Sequence, residues 1–186
     1  AVQALVEVCE KGDARATTAV FSCLEDKNAS VRKAAMQILP QVCELGDELA
    51  VAAVHSHIED EHGPVREAAV QACVQLSERG DERAITAVSS RLEDHDVSVR
   101  AVASQALLHL CEKTQAISTI LCRLGNQRGC ISKTALTALF QISEAARGDE
   151  RVITAMFPCL DDYDKSVRKS AVEMLSQLCE QGDNRA

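Results

Sequence analysis

Apolar residues recur along this chain with the period of a helix, and the pattern restarts at regular intervals. Between Gly80 and Lys113, Ala84, Ile85, Val88 and Leu92 fall at i, i+1, i+4 and i+8, one face of a helix of about 12 residues. Glu93-Asp94-His95-Asp96 interrupts the pattern. Val99, Ala103, Ala106, Leu107 and Leu110 then resume it at i, i+4, i+7, i+8 and i+11. The first segment predicts a helix A and the second a helix B. The same B face reads Val31, Ala35, Ile38, Leu39 and Val42 earlier in the chain, and Val167, Ala171, Met174, Leu175 and Leu178 later. No stretch alternates apolar and polar residues over useful length, so strands are excluded and the fold class is all-α.

The helix pair is one unit of an array. Gly-Asp opens at Gly12, Gly46, Gly80, Gly148 and Gly182, with spacings of 34, 34, 68 and 34 residues. Val-Arg keeps the same step at Val31, Val65, Val99 and Val167. A fixed period in this range means a solenoid, in which each repeat packs only on its neighbours. The repeats span residues 13–46, 47–80, 81–113, 114–148 and 149–182, with partial ones at 1–12 and 183–186. The whole chain then reads as a single α-solenoid segment. Opening inside one repeat and stopping as another begins, without polar capping repeats, it is expected to be a stretch of a longer array. At each junction the glycine can take the left-handed conformation that closes a helix, and the aspartate can cap the next helix with its side-chain oxygen.

Two families of helical repeat share such a length. The Trp, Gly and Tyr signature of tetratricopeptide repeats is absent. The chain instead carries an Asp six residues before an Arg in four repeats: Asp26 and Arg32, Asp60 and Arg66, Asp94 and Arg100, Asp162 and Arg168. With the Gly-Asp-Glu-Arg openings at Gly80 and Gly148, this resembles HEAT repeats of the phycobilisome-lyase type. The resemblance implies an α-solenoid stacked as a right-handed superhelix, B helices on its concave side, and the Asp and Arg side chains forming a ladder from repeat to repeat. In the fourth repeat both slots change together, to Asn126 and Ser132, which reads as the joint loss of one pair.

Composition narrows the function. There are 20 Lys+Arg against 28 Asp+Glu, a net charge of -8, which argues against general affinity for nucleic acid or an anionic membrane. No apolar run approaches the roughly 20 residues needed to span a bilayer. Cys9, Cys43, Cys111 and Cys179 share one repeat slot with Ser77 and Ser143, and Cys23 and Cys159 share another. Slot-mates one helix spacing apart, about 8–10 Å, are too distant for a disulfide. The cysteines read as small packing residues suited to an intracellular, reducing compartment, the cytoplasm or an organelle stroma.

No catalytic grouping, phosphate-binding loop or metal-ligand spacing is visible, and no cofactor is implied. His55, His57 and His62 cluster around Glu59-Asp60-Glu61, but His55 and His57 lie about 200° apart on a helix and cannot face one ion together. They read as a solvated helix end. The expectation is a non-enzymatic scaffold for protein–protein interaction, with any appended catalytic domain lying outside this sequence. Its partner-binding surface is the B-helix stripe left over by the core: Gln37, Gln71, Val74, Gln75, Gln105, Leu108, His109, Phe140, Gln141, Glu173 and Gln177. In one slot of that stripe, Pro40, Val74, Leu108, Phe140 and Ser176, three successive apolar residues either anchor a partner or sit half-buried between helices. The family resemblance adds a pigment-handling chaperone or bilin-lyase-type subunit as an alternative, and a structural spacer of a larger assembly is a third.

The fourth repeat departs from the rest. Between Glu112 and Glu144 there is no acidic residue, while Lys113, Arg123, Arg128 and Lys133 stand in it. This cationic patch reads either as a site for an acidic partner or as a degenerate repeat. Charge reversal at Arg128 and Lys133 is expected to weaken capture of an acidic protein partner, measured by pull-down. Unchanged capture leaves the degenerate repeat.

Overall fold

In a computed structural model of the chain, residues 11–112, 115–120, 153–154 and 156–182 are described, the side chains of 177–182 excepted. The chain divides into two compact bodies, Ala1–Leu110 and Cys111–Ala186. Among the described residues all regular structure is helical.

The first body holds three helix pairs. Helix α1 (Ala14–Leu24) precedes α2 (Ala29–Val42), α3 (Glu48–His57) precedes α4 (Gly63–Leu76), and α5 (Glu82–Ser90) precedes α6 (Val97–Leu110). A 3-10 turn over Arg91–Glu93 follows α5, so the third A helix tightens over its last residues rather than staying α-helical through Leu92. Each A helix packs on its own B helix, and the B helices pack in succession, α2 on α4 and α4 on α6. The buried residues are those of the repeating face: Val20, Leu24, Ala35 and Leu39, then Val54, Val65, Ala69 and Leu76, then Val88, Val99, Ala103 and Leu110. Alanines and valines at these crossings let the helices approach closely, which accounts for the scarcity of aromatic residues.

The Gly-Asp junction acts in two directions. Asp13, Asp47 and Asp81 are the N-caps of the A helices, each side chain accepting from the backbone N–H groups two and three residues on. Gly12, Gly46 and Gly80 carry φ of 88°, 77° and 90°, the left-handed region. That turn aims each glycine N–H at the following repeat, where it donates to the last carbonyl of a B helix: Gly12 to Val42 at 2.8 Å, Gly46 to Leu76 at 2.8 Å, Gly80 to Leu110 at 2.7 Å. A helix leaves its final carbonyls without an internal donor. The preceding repeat supplies one.

In the second body, residues 153–154 and 156 are helical, a 3-10 turn spans Phe157–Asp161, and α7 runs from Lys165 to Gly182. Met156, Cys159, Val167, Ala171 and Met174 are buried. Gly182, where the junction pattern predicts a helix-closing turn, is the last residue of α7, and residues 183–186 lie outside the described set.

Gly63 stands where other repeats have Ala29, Val97 and Lys165, and the reason lies in the neighbouring repeat: a Cβ there would overlap the Asp96 carboxylate. Gly46 is different, with open space around it and only its backbone angle to hold it. Gly46→Ala is therefore expected to cost about 1–2 kcal/mol in urea unfolding, the strain of a left-handed alanine. A change below about 0.5 kcal/mol, the range of neutral surface substitutions, would show that this turn is not enforced.

Candidate functional site

Two surfaces follow from the stacking: the edge where A–B loops meet, and the outer face of the B helices. The loop edge is chemically rich and inwardly occupied. Arg32 on α2 donates from Nε and Nη2 to the two Asp60 carboxylate oxygens at 2.8 and 2.9 Å. Arg66 on α4 does the same to Asp94 at 2.8 and 2.7 Å. Each arginine thus grips the aspartate of the next repeat. Its remaining nitrogen turns back on its own loop: Nη1 of Arg32, Arg66, Arg100 and Arg168 donates to the backbone carbonyl of Asp26, Asp60, Asp94 and Asp162. Each of these aspartates also accepts from the N–H two residues on, at Asn28, His62, Asp96 and Asp164. One Asp–Arg set therefore stiffens its own loop and ties it to the neighbour.

In the rungs described, the carboxylate and the guanidinium come from successive repeats. Asn126 and Ser132, read as the joint loss of one pair, lie outside the described residues.

Burial acts to raise the Asp94 carboxyl, yet the hydrogen bonds and charge of Arg66, with the Asp96 N–H, outweigh it and hold the group below the usual carboxylate range. Asp60 is lowered in the same way, against its own burial, by Arg32 and the His62 N–H. Arg32 and Arg66 are raised, chiefly by these same carboxylates. Glu61 lies 3.7 Å from Arg32, a second carboxylate in reach.

The histidine cluster is not a solvated helix end throughout. His57 is buried, with Nε2 2.9 Å from the Leu24 carbonyl of the preceding repeat and Nδ1 2.8 Å from the Ala53 carbonyl. It is a further cross-repeat strut. His62 is exposed, its Nδ1 3.3 Å from Arg32 Nη2. His55 lines an open hollow of about 850 Å3 between α3 and the turn before α5, beside Val51, Glu78 and Arg83. Its Nε2 is buried and has no hydrogen-bond partner among the described residues.

Among the described cysteines, Cys43, Cys73, Cys111 and Cys159 are buried and Cys23 is half-buried, none of them in a disulfide. Burial pushes Cys73 and Cys159 up to about 11, and Cys43 is raised for the same reason. These thiols stay protonated near neutrality and make poor nucleophiles.

The B-helix face is polar and largely unspent. Gln37, Gln71 and Gln105 are exposed one repeat apart, as are Gln41, Gln75 and His109. Gln41 turns its amide to the Gln37 carbonyl of its own helix at 3.2 Å. The apolar slot between the rows is partly closed: Pro40 is buried, Val74 and Leu108 are half-buried, and Ser176 is exposed. Half-buried as they are, Val74 and Leu108 offer shallow apolar strips rather than free anchors. Glu173 is exposed on α7, and Gln177 lies on α7 with its side chain undescribed. Phe140 and Gln141, like Lys113, Arg123, Arg128 and Lys133, lie outside the described residues. The glycine N–H bonds and the His57 strut carry no separate sequence signal beyond the glycine itself.

The family described as HEAT repeats matches residues 17–108. No curated protein matches the sequence. Among solved structures the chain is similar to the complex of CpcE and CpcF of phycocyanin lyase from Nostoc sp. PCC7120, at 23% identity and a TM-score of 0.53, over 88% of this chain. It spans 65% of that chain's length. A designed armadillo repeat protein in complex with peptide (KR)4 matches at 17% identity and a TM-score of 0.54, over 95% of this chain and 91% of the other. The S. pombe condensin Cnd3-Cnd2 subcomplex matches at 20% identity and a TM-score of 0.62, over 99% of this chain and 26% of the other. At these identities the likenesses establish the helical-repeat fold. No helix among the described residues is long and apolar enough to cross a membrane.

The rungs differ in depth, which sets an order for their loss. Asp94→Ala leaves the deeply buried Arg66 guanidinium without its carboxylate and is expected to cost about 3–5 kcal/mol in urea unfolding at neutral pH. Asp60→Ala is expected to cost less, because Glu61 can approach Arg32. Both carboxyls titrate below their unfolded value near 4 in the folded chain, so their stabilisation is complete above it and is lost as pH falls through the lowered values. Wild type should therefore lose more stability than Asp94→Asn between pH 5 and 2. Equal, small costs at both positions and parallel acid curves would mean the rungs contribute nothing.

Proposed function

Residues 17–108 being HEAT repeats, we propose that the B-helix face holds a segment of a protein partner and that the chain works as a non-enzymatic interaction scaffold. The observation that carries this reading is a contrast in how polar groups are used. At the loop edge, guanidiniums, carboxylates and backbone groups are bound to one another. On the B face, the side chains of Gln37, Gln71, Gln75, Gln105 and His109 make no hydrogen bond to the chain among the described residues, beside the apolar strips of Val74 and Leu108. Amides around modest apolar surface suit a polypeptide that brings both main-chain polar groups and side-chain carbon. The designed armadillo protein holding peptide (KR)4 is a similar fold occupied by a peptide. Cysteines outside any disulfide among the described residues fit residence in a reducing compartment.

A second reading rests on the likeness to the phycocyanin lyase complex: a pigment-handling subunit. Visible absorbance of protein purified from its source would favour it. A spacer would leave the B face bare. The fourth-repeat cations remain a proposed contact for an acidic partner.

A photo-crosslinking side chain at Gln71 or Gln105 is expected to give covalent adducts with one partner. The same group at Thr18 or Thr86, exposed on the A helices, is expected to give none. Adducts formed only from the A-helix positions would overturn the assignment of this face.

A further inference from the structure

We infer that the segment held by the first body's B face is extended and basic; this rests on the proposed binding role of that face. The charge of the chain is unevenly divided. Residues 1–110 contain 10 Lys+Arg against 18 Asp+Glu, the entire net charge of -8, whereas residues 111–186 balance 10 against 10. Within the first body the strongest cations are spent internally, since Arg32 and Arg66 are locked on Asp60 and Asp94. Along the B-helix stripe and the turns that follow it, carboxylates outnumber cations. Glu67 is half-buried on α4, one turn before Gln71, and Glu44 and Glu78 are exposed just past the ends of α2 and α4, beyond Gln41 and Gln75. None of the three forms an ion pair among the described residues. Lys33 is the one cation on the corresponding stripe of α2 and α4. A partner that neutralises this surface must be basic.

Its backbone must also be available. Each glutamine amide has two donors and an acceptor, so the rows Gln37–Gln71–Gln105 and Gln41–Gln75 can pair with both kinds of main-chain group. A helical partner spends those groups internally; an extended one presents them. Packed helices stand about 8–10 Å apart, and a chain extended as polyproline II advances about 3.1 Å per residue with three residues per turn, so each B helix meets about three residues of the partner and every third side chain points the same way. Every third side chain then arrives at an equivalent slot, and a lysine or arginine there reaches the glutamates at the helix ends. The same surface repels a segment with carboxylates at that spacing.

The test uses the full chain and three fluorescent peptides of about nine to twelve residues, long enough to cross three helices. They are built from one Ser/Ala background and carry Lys, Gln or Glu at every third position. Fluorescence anisotropy is expected to give tightest binding for the Lys peptide and weakest for the Glu peptide, with the Lys affinity falling as salt rises. Glu44→Gln/Glu78→Gln is expected to weaken the Lys peptide about threefold to tenfold and leave the Gln peptide unchanged. Gln71→Ala/Gln105→Ala is expected to weaken both. Gln or Glu peptides that bind as well as Lys, while still needing Gln71 and Gln105, would overturn the basic assignment and leave the B face as the binding surface. Lys binding indifferent to Gln71 and Gln105 would overturn the binding role of the face itself, and failure of all three peptides to bind would overturn both. Circular dichroism melts that match wild type confirm that the exposed substitutions leave the fold intact.

Discussion

The interaction on which the rest depends is the tie from one helix pair to the next. A pair of thin helices lined with alanine and valine cannot bury enough apolar surface to stand alone, so the neighbour is part of its core. Two lines of polar contacts fix that neighbour. At one end of the B helices, arginine meets aspartate 28 residues on; at the other, the junction glycine N–H meets the carbonyl that ends the next B helix. Both lines hold only if successive repeats keep the same length between marker residues. That is the physical content of the 34-residue period.

Satisfying the loop edge in this way has a consequence for the surface. Groups that could bind something external are drawn inward: Asp60 and Asp94 are held by guanidiniums and backbone N–H groups, and the buried His57 sets Nε2 against the Leu24 carbonyl of the preceding repeat. What remains outward is the face between the edges, where no structural duty falls on Gln71 or Gln105. Stability and the proposed binding role thus fall on different positions of the same helix: Arg66 and Val65 bind the array together, while Gln71 and Gln75, a turn or more further on, face outward.

Much of this was legible in the sequence, and the gaps have particular causes. The helical period and the Gly-Asp marker place the A and B helices within a few residues, because apolar spacing and caps are local properties. That Asp and Arg form a ladder follows from the family resemblance, but which repeat supplies each partner is a question of three-dimensional offset. Gly63 looks like a helix-start glycine until Asp96 of the next repeat is seen against it. His57 looks like one of a surface cluster because nothing local reveals the Leu24 carbonyl. The apolar slot was legible as apolar but not as half-covered, since coverage of Val74 and Leu108 depends on how closely the B helices approach.

Neighbouring repeats are bound to each other at the junction glycines and not merely stacked. Native-state hydrogen exchange of the Gly46 and Gly80 amides tests it most directly, because both lie in exposed turns where an unbound N–H exchanges freely. Protection of both amides comparable to that of the α4 and α6 interiors is the predicted result. Exchange at the rate of an open turn would contradict it.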